Sequence, residues 1–150
     1  MNLNKYIASF SGIGYIGKGG GSVAALVAML VWYWGFNLMF ENLAVYLFIC
    51  ILIGITGIYS SYKVEFDWGH DSRQIVIDEV FGMIISLLFV PHHLWMGFAA
   101  FVLFRMFDIW KPLYITKMEK LKGGFGVMAD DFLAGIYTLI CMQILIRVIS

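Results

Sequence analysis

Long apolar stretches alternate with short polar ones along the chain, and this pattern predicts helices that cross a bilayer. Five apolar segments are separated by polar residues or by proline, at residues 23–40, 43–59, 74–90, 94–107 and 132–149. The fourth is short for a span of about 20 residues, unless it extends to Trp110, and the third and fourth could form a re-entrant or tilted pair. We predict an all-α, polytopic membrane bundle of about five apolar helices, forming one domain over residues 1–150.

The polar stretches between these segments are predicted to be loops. Residues 12–22 are dense in glycine, which disfavours a regular helix, and Ser22 is a suitable N-cap for the segment that follows. Residues 60–73 form the first long polar loop and residues 111–129 the second. We expect Asp130 and Asp131 to open the last helix, since acids are favoured in a first turn.

Composition agrees with the membrane class. Apolar residues make up 61% of the chain and charged residues 13%, where soluble proteins average roughly 45–50% and 25%. The mean hydropathy is +0.85. The formal net charge is zero, which argues against nucleic acid as a partner, because binding a phosphate backbone needs a basic excess.

The basic residues predict how the chain lies in the membrane. In a five-span topology, nine of the ten fall on one side, namely Lys5, Lys18, Lys63, Arg73, Arg105, Lys111, Lys117, Lys120 and Lys122. Only Arg147 falls on the other. Cytoplasmic loops carry the excess of Lys and Arg, so we expect the amino terminus and the polar regions to face the cytoplasm. Polar regions on one face indicate a composite site at the cytoplasmic helix ends.

Two adjacent acids, Asp78 and Glu79, interrupt the third apolar segment. They point about 100° apart on a helix, so they cannot both be idle surface residues. Either they occupy a first turn, where acids suit the positive end of the helix dipole, or they bind Mg²⁺ or perform acid–base work.

The region 105–131 holds half of the chain's Lys and Arg between two apolar segments. Arg105, Asp108 and Lys111 are spaced three apart, so they could form helical ion pairs or a substrate-binding edge. Cations suit phosphate and acids suit a hard metal ion. This chemistry indicates a membrane enzyme acting on a phosphorylated lipid.

Asp130 and Asp131 could be ordinary helix caps. The preceding Gly123-Gly-Phe-Gly126 favours a role at an anion or a metal-bound phosphate, because a glycine-rich turn entering a helix suits both. A small cation transporter is the alternative from another class. It predicts acids at mid-membrane depth and a repeat, whereas the acids here cluster on one face and the sequence contains no repeat.

Three motifs in this order resemble phosphatidylglycerophosphatase A, the membrane phosphatase that converts phosphatidylglycerophosphate to phosphatidylglycerol. They are His70-Asp71 with Ile75-Val-Ile-Asp-Glu-Val-Phe-Gly82, then Phe104-Arg-Met-Phe-Asp-Ile-Trp-Lys-Pro112, then Gly123-Gly-Phe-Gly-Val-Met-Ala-Asp-Asp-Phe-Leu-Ala-Gly135. The family's Pro-Gly-Thr-x-Gly-Ser loop is replaced by Gly17-Lys-Gly-Gly-Gly-Ser22, and its Lys-Pro-x-Pro by Lys111-Pro-Leu-Tyr114. Neither change removes a carboxylate or a cation.

The resemblance implies Mg²⁺-dependent hydrolysis of a lipid phosphomonoester by a multi-pass protein of the bacterial cytoplasmic membrane. Its partners would be the bilayer and phosphatidylglycerophosphate, and the oligomeric state stays open. The catalytic residues would be Asp78, Glu79, Asp130 and Asp131. The same four, with Asp71 or Asp108, would hold one or two Mg²⁺ ions. Phosphate would bind to Arg105, Lys111, Lys18 and Ser22.

Two further choices stay open from the sequence. One acid would either activate water or act as the nucleophile through an aspartyl-phosphate. The substrate could instead be phosphatidic acid or a prenyl phosphate, because the chemistry of the site would be the same.

Overall fold

The computed structural model describes residues 2–69 and 72–149, except for the side chains of Asn37, Leu38 and Glu119. Over these residues the chain forms seven α-helices: α1 Leu3–Ala8, α2 Gly20–Gly35, α3 Leu43–Trp68, α4 Ile77–Ser86, α5 Leu94–Trp110, α6 Ile115–Glu119 and α7 Gly123–Ile149. A 3-10 turn, Ile13–Ile16, precedes α2, and a π-helical turn, Phe36–Phe40, follows it. The described part contains no strand, so the all-α prediction is confirmed.

Two of these helices are long and apolar enough to cross a bilayer. Helices α3 and α7 have 26 and 27 residues, and at about 1.5 Å per residue each exceeds a hydrocarbon core of about 30 Å. Helix α3 exposes Phe48, Ile51 and Ile55 along one face, and a continuous apolar surface of this kind suits lipid. The protein is a membrane helical bundle. Helices α2, α4 and α5 are shorter, and the predicted number of five spans is not confirmed.

The short helix α4 lies at the centre of the bundle, in contact with α2, α3, α5 and α7. Its approach to α7 is so close that only glycine fits at two positions. A Cβ on Gly82 would lie 2.5 Å from the carbonyl oxygen of Asp131, and one on Gly135 would lie 2.6 Å from the carbonyl oxygen of Gly82. Small residues permit this type of helix contact in membranes. The backbone of α4 is therefore held against α7 at the level of Asp131.

Two segments predicted as loops are largely helical. Helix α3 continues to Trp68, and Gly69 (φ 87°) follows it as the C-cap, so most of the predicted loop 60–73 belongs to the helix. Helix α7 begins at Gly123, which places Asp130 and Asp131 about two turns inside it. The prediction that these acids open the last helix was wrong.

Helices α2, α4 and α5 also differ in their bounds from the predicted segments. Helix α2 begins at Gly20 with Gly19 (φ 97°) as its N-cap, so Ser22 is not the N-cap. Helix α4 ends at Ser86, well before residue 90, because a turn containing Phe89 at φ 60° precedes Pro91. Helix α5 extends to Trp110, which is the longer of the two endings considered.

Candidate active site

Polar side chains of α4, α5 and α7 meet at one end of the bundle, where they line a cavity of about 270 Å³. The lining residues are Ser72, Arg73, Ile75, Asp78, Glu79, Arg105, Asp108, Ile109, Lys111, Asp130 and Asp131. All but the two isoleucines are polar. Residues from the segment 60–73, the two adjacent acids of α4 and residues from the region 105–131 therefore share one site.

Three carboxylates form a cluster in this cavity. One oxygen from each of Asp78, Glu79 and Asp131 lies within 4.8 Å of the others. Asp131 is only 3% exposed, and the Glu79 side chain is 17% exposed. Neighbouring negative charges withdrawn from water are unfavourable unless a cation compensates them.

The chemistry of this cluster fits a divalent cation. Glu79 Oε2 is buried and has no hydrogen-bond partner within the described residues. This oxygen can therefore serve as a ligand to a cation. Carboxylate oxygens are the ligands that Mg²⁺ prefers in proteins. Within the described ranges, Asp78, Glu79 and Asp131 are the residues that could hold such an ion together.

Two basic side chains contact the acids of the cavity. Arg105 Nη1 lies 3.8 Å from Glu79 Oε1 and also donates a hydrogen bond to Asp108 Oδ2. Lys111 Nζ lies 2.9 Å from Asp130 Oδ2. Asp108 and Asp130 thus pair with cations outside the carboxylate cluster, and within the cluster Glu79 also contacts Arg105.

The position of Lys111 depends on an unusual backbone conformation. It ends α5 with φ 44° and ψ 52°, in the left-handed region. A residue other than glycine in this region costs about 1–3 kcal/mol and persists only where its surroundings hold it. Its contact with Asp130 joins the end of α5 to α7, whereas the spacing of the sequence had suggested a pair with Asp108.

The electrostatics of Glu79 follow from its burial. Helix α4 has ten residues, about 15 Å in length, and lies outside the two candidate spans. Burial raises the pKa of the Glu79 carboxyl above its ordinary value, and the charge of Asp108 adds to this, while a hydrogen bond with Asp78 and the nearby Arg105 guanidinium partly offset it. A cation bound in the cluster would favour the charged form in the same way.

Helix α2 contributes to the site through a glycine. A Cβ on Gly21 would lie 1.7 Å from Glu79 Oε1, so the carboxylate occupies the space that a side chain at this position would need. The glycine-dense segment therefore contributes room for Glu79. Sequence reasoning missed this role, although the density of glycine was a visible signal of close approach.

A sequence model of the family described as Phosphatidylglycerophosphatase A matches residues 6–146. The chain belongs to this family. Members are lipid phosphatases, so the protein is a hydrolase, and the resemblance stated from the motifs is confirmed.

Relatives with individual names agree on a lipid phosphatase but differ in the lipid. Phosphatidylglycerophosphatase A of Escherichia coli K12 is 39% identical over 77% of this chain and 67% of its own length. The Haemophilus influenzae protein of the same name is 44% identical over 64% of this chain and 61% of its own length. A Bacteroides thetaiotaomicron protein, provisionally named a phosphatidylinositol-3-phosphatase, is 40% identical over 83% of this chain and 81% of its own length. No solved structure matches the chain.

Most of the residues selected from the phosphatidylglycerophosphatase A motifs line the cavity. The structure brings together Asp78, Glu79, Arg105, Asp108, Lys111, Asp130 and Asp131. Their catalytic, metal-binding and phosphate-binding roles stay predictions. Asp71 lies outside the described residues, as does His70, and the prediction that Asp71 binds metal stays open.

The structure places two predicted phosphate-binding residues apart from the cavity. Lys18 is exposed and Ser22 is half-buried, and neither is among the described residues that line it. Conversely, Ser72 and Arg73 line the cavity and were not selected. The sequence feature that could have identified them is their position directly after His70-Asp71 in the family motif.

Replacing Gly21 with Ala is expected to lower activity without destabilising the fold. The new Cβ would displace the end of the Glu79 side chain from the carboxylate cluster, while alanine is the better helix former of the two residues. We expect kcat to fall by about tenfold or more, by analogy with residues that orient metal ligands, and the unfolding temperature in detergent to stay level or rise.

The matched control for this experiment is Gly35→Ala at the other end of α2, where a Cβ would make only ordinary contact with Phe40 at 3.4 Å. This variant should keep normal activity. Normal turnover in Gly21→Ala would contradict the placement of Glu79 in the working site.

Proposed function

We propose that the protein hydrolyses phosphatidylglycerophosphate to phosphatidylglycerol and inorganic phosphate in a Mg²⁺-dependent reaction. Water supplies the oxygen that bonds to phosphorus, and the leaving glycerol oxygen takes up a proton. The observation that carries the proposal is the cavity in which three carboxylates lie beside Arg105 and Lys111. Family membership supports the same reaction.

Electrostatic stabilisation is the main task of such a site. Phosphate-monoester hydrolysis is among the slowest uncatalysed reactions, and preorganised charges are usually the largest catalytic contribution. Asp78, Glu79 and Asp131 would hold Mg²⁺. The bound ion would neutralise charge on the phosphate oxygens.

The two cations would bind and orient the phosphate. Contacts with Glu79 and Asp108 hold Arg105 Nη1 in place, while its Nε is buried without a hydrogen-bond partner among the described residues. A guanidinium presents a planar fork of donors that matches phosphate oxygens, so Nε is suited to a substrate oxygen. Lys111, positioned by Asp130, adds a second positive charge.

The bundle would present a lipid headgroup to this cavity. Drug-sized ligands occupy pockets of roughly 300–1,000 Å³, so about 270 Å³ suits a headgroup without its acyl tails. The tails would remain in the leaflet beside α3 and α7.

We further propose that the protein is a multi-pass protein of the bacterial cytoplasmic membrane with its site facing the cytoplasm, because nine of its ten basic residues lie on one side of the predicted topology.

A second candidate function is hydrolysis of a phosphoinositide monophosphate. The relative from Bacteroides thetaiotaomicron, whose name specifies that activity, is 40% identical. The chemistry at phosphorus would be the same, and only the alcohol that leaves would differ.

The direct test is phosphate release from short-chain lipids in detergent micelles, with Mg²⁺ or with a chelator. We expect the highest kcat/KM for phosphatidylglycerophosphate, above phosphatidic acid, a prenyl phosphate and phosphatidylinositol 3-phosphate. Chelation should lower the rate by at least about 10²-fold, because a bound ion supplies several kcal/mol of transition-state stabilisation, and added Mg²⁺ should restore it.

Three other results of this assay would change the proposal. Faster turnover of phosphatidylinositol 3-phosphate would favour the second candidate. Full activity in the chelator would contradict the metal assignment, and release from none of the four lipids would refute the proposal.

A further inference from the structure

We propose that Arg73 binds the phosphodiester group of the substrate and so selects lipids that carry two phosphates. This inference rests on the proposed function, since it concerns the same cavity. It assigns a specificity-determining role to a residue at the exposed edge of the site, separate from the carboxylates and cations assigned to the reacting phosphate.

The backbone next to Arg73 is held in place. Val76 N donates a hydrogen bond to the Ala8 carbonyl at 2.9 Å, and Ile75 N donates to the Ser72 carbonyl at 2.8 Å. Gln74 packs so closely on Gly14 that a Cβ there would lie 2.0 Å from the Gln74 carbonyl oxygen. The exposed Arg73 side chain therefore extends from a fixed base.

Arg73 differs from the other cations of the cavity in its partners. Arg105 is paired with Glu79 and Asp108, and Lys111 is paired with Asp130. Arg73 also lines the cavity, yet it makes no ion pair with any residue in the ranges 2–69 and 72–149. Within these ranges no acid neutralises its guanidinium, which suits it to an anion from outside the protein.

The proposed substrate and its phosphoinositide alternative both carry two kinds of phosphate group. Phosphatidylglycerophosphate and phosphatidylinositol 3-phosphate each carry a phosphomonoester, which is hydrolysed, and a phosphodiester, which joins the headgroup to diacylglycerol. The monoester must reach the buried carboxylates and Arg105, which leaves the diester nearer the mouth of the cavity. There the exposed Arg73 can donate two hydrogen bonds to its non-bridging oxygens.

Comparison with phosphatidic acid distinguishes binding of the phosphodiester from a general attraction of Arg73 for anionic lipids. Its single phosphate is the monoester, so it offers nothing for Arg73 to bind when the monoester is in the carboxylate cluster. Loss of Arg73 should therefore affect the lipids with two phosphates and spare phosphatidic acid.

The experiment compares Arg73→Gln, Arg73→Lys and Lys117→Gln with the unmodified protein. Lys117 is a matched control, since it is exposed, lies outside the cavity and places its Nζ 4.5 Å from the centre of the Tyr114 ring. For Arg73→Gln we expect KM for phosphatidylglycerophosphate to rise by about tenfold or more, the size typical of a lost hydrogen bond to a charged group. Its kcat should change by less than about twofold, since the lost contact binds ground state and transition state alike.

The other expected results are a KM for phosphatidic acid that Arg73→Gln leaves unchanged, a partial effect of Arg73→Lys, and no effect of Lys117→Gln. An equal rise of KM for both lipids would show general attraction of anions and overturn the proposal. A large fall in kcat or in unfolding temperature would show a structural role and also overturn it.

A binding experiment distinguishes failure of this inference from failure of the proposed function. Short-chain phosphatidylglycerol keeps the diester, whereas short-chain diacylglycerol has no phosphate. We expect Arg73→Gln to weaken binding of the first by about tenfold and to leave the second unchanged. If the unmodified protein does not hydrolyse phosphatidylglycerophosphate but shows this binding pattern, the proposed function fails and the diester site stands. Unchanged binding of phosphatidylglycerol overturns the diester site.

Discussion

Replacing Asp131 or Asp78 with Asn is expected to lower kcat by at least about 10²–10³-fold, the effect of removing a preorganised charged group from a transition-state site. Each substitution keeps the shape of the side chain and removes one negative charge from a cluster whose oxygens lie within 4.8 Å of one another. The cluster would then hold a divalent cation less well, because ligand charge determines affinity for hard cations.

The stability of the Asp131→Asn and Asp78→Asn variants should not fall with their activity. Three neighbouring carboxylates repel one another in a buried site, so either variant should be at least as stable as the unmodified protein in a chelator. Added Mg²⁺ should raise the unfolding temperature of the unmodified protein, because a ligand that binds the folded state stabilises it. Asp131→Asn should lack most of that shift.

Asp67→Asn is the matched control. Asp67 is 53% exposed and pairs with Lys5 at 2.6 Å, outside the cavity, so its loss should leave both kcat and the Mg²⁺-dependent shift unchanged. Retained activity in both Asp78→Asn and Asp131→Asn would show that the carboxylate cluster is not the working site.

The acids of α4 illustrate what the sequence can predict. Asp78 and Glu79 are adjacent charges within an apolar segment, and the cost of burying such charges makes a functional role the default expectation. The structure places both in the first turn of α4, as the helix-start alternative requires, and in the same cavity as Arg105 and Asp131. Local spacing also predicted the ion pair of Arg105 with Asp108.

The glycine-rich segment before Asp130 illustrates what the sequence cannot predict. Glycine signals either a loop or a close approach between helices, and only the partner distinguishes these. A Cβ on Gly124 would lie 2.0 Å from the Ile58 carbonyl oxygen on α3, so this segment is a helix packed on another helix. Likewise, the pairing of Lys111 with Asp130 depends on the turn after α5, which the spacing of charges does not show.

Replacing Arg105 with Gln is expected to lower kcat/KM by about 10²–10³-fold, again the scale for loss of a group that binds transition-state charge. Arg105→Lys should recover only part of this, because an ammonium group lacks the planar fork that binds two phosphate oxygens. The measurement is phosphate release at saturating Mg²⁺, so that reduced metal affinity does not contribute.

This loss has two explanations: Arg105 binds the substrate phosphate, or it only neutralises a neighbouring acid. Measurements of stability help to distinguish them. Arg105 is 16% exposed and contacts Glu79 and Asp108, so its removal takes the neutralising cation away from two partly buried acids. Removal of one partner from a fully buried pair costs about 3–5 kcal/mol, and solvent at this site should reduce the effect. We therefore expect Arg105→Gln to lower the unfolding temperature, in contrast to the aspartate variants.

The double variant Arg105→Gln/Asp108→Asn tests whether Arg105 acts only by neutralising Asp108. Removing the charge of Asp108 together with that of Arg105 should restore much of the stability, since the acid no longer needs a partner, and the interaction energy of a double-mutant cycle measures that recovery. Activity should stay low, because the donors that bind phosphate are still absent. If activity returns with stability, Arg105 acts only by neutralising Asp108, and the assignment of its guanidinium to the substrate phosphate is wrong.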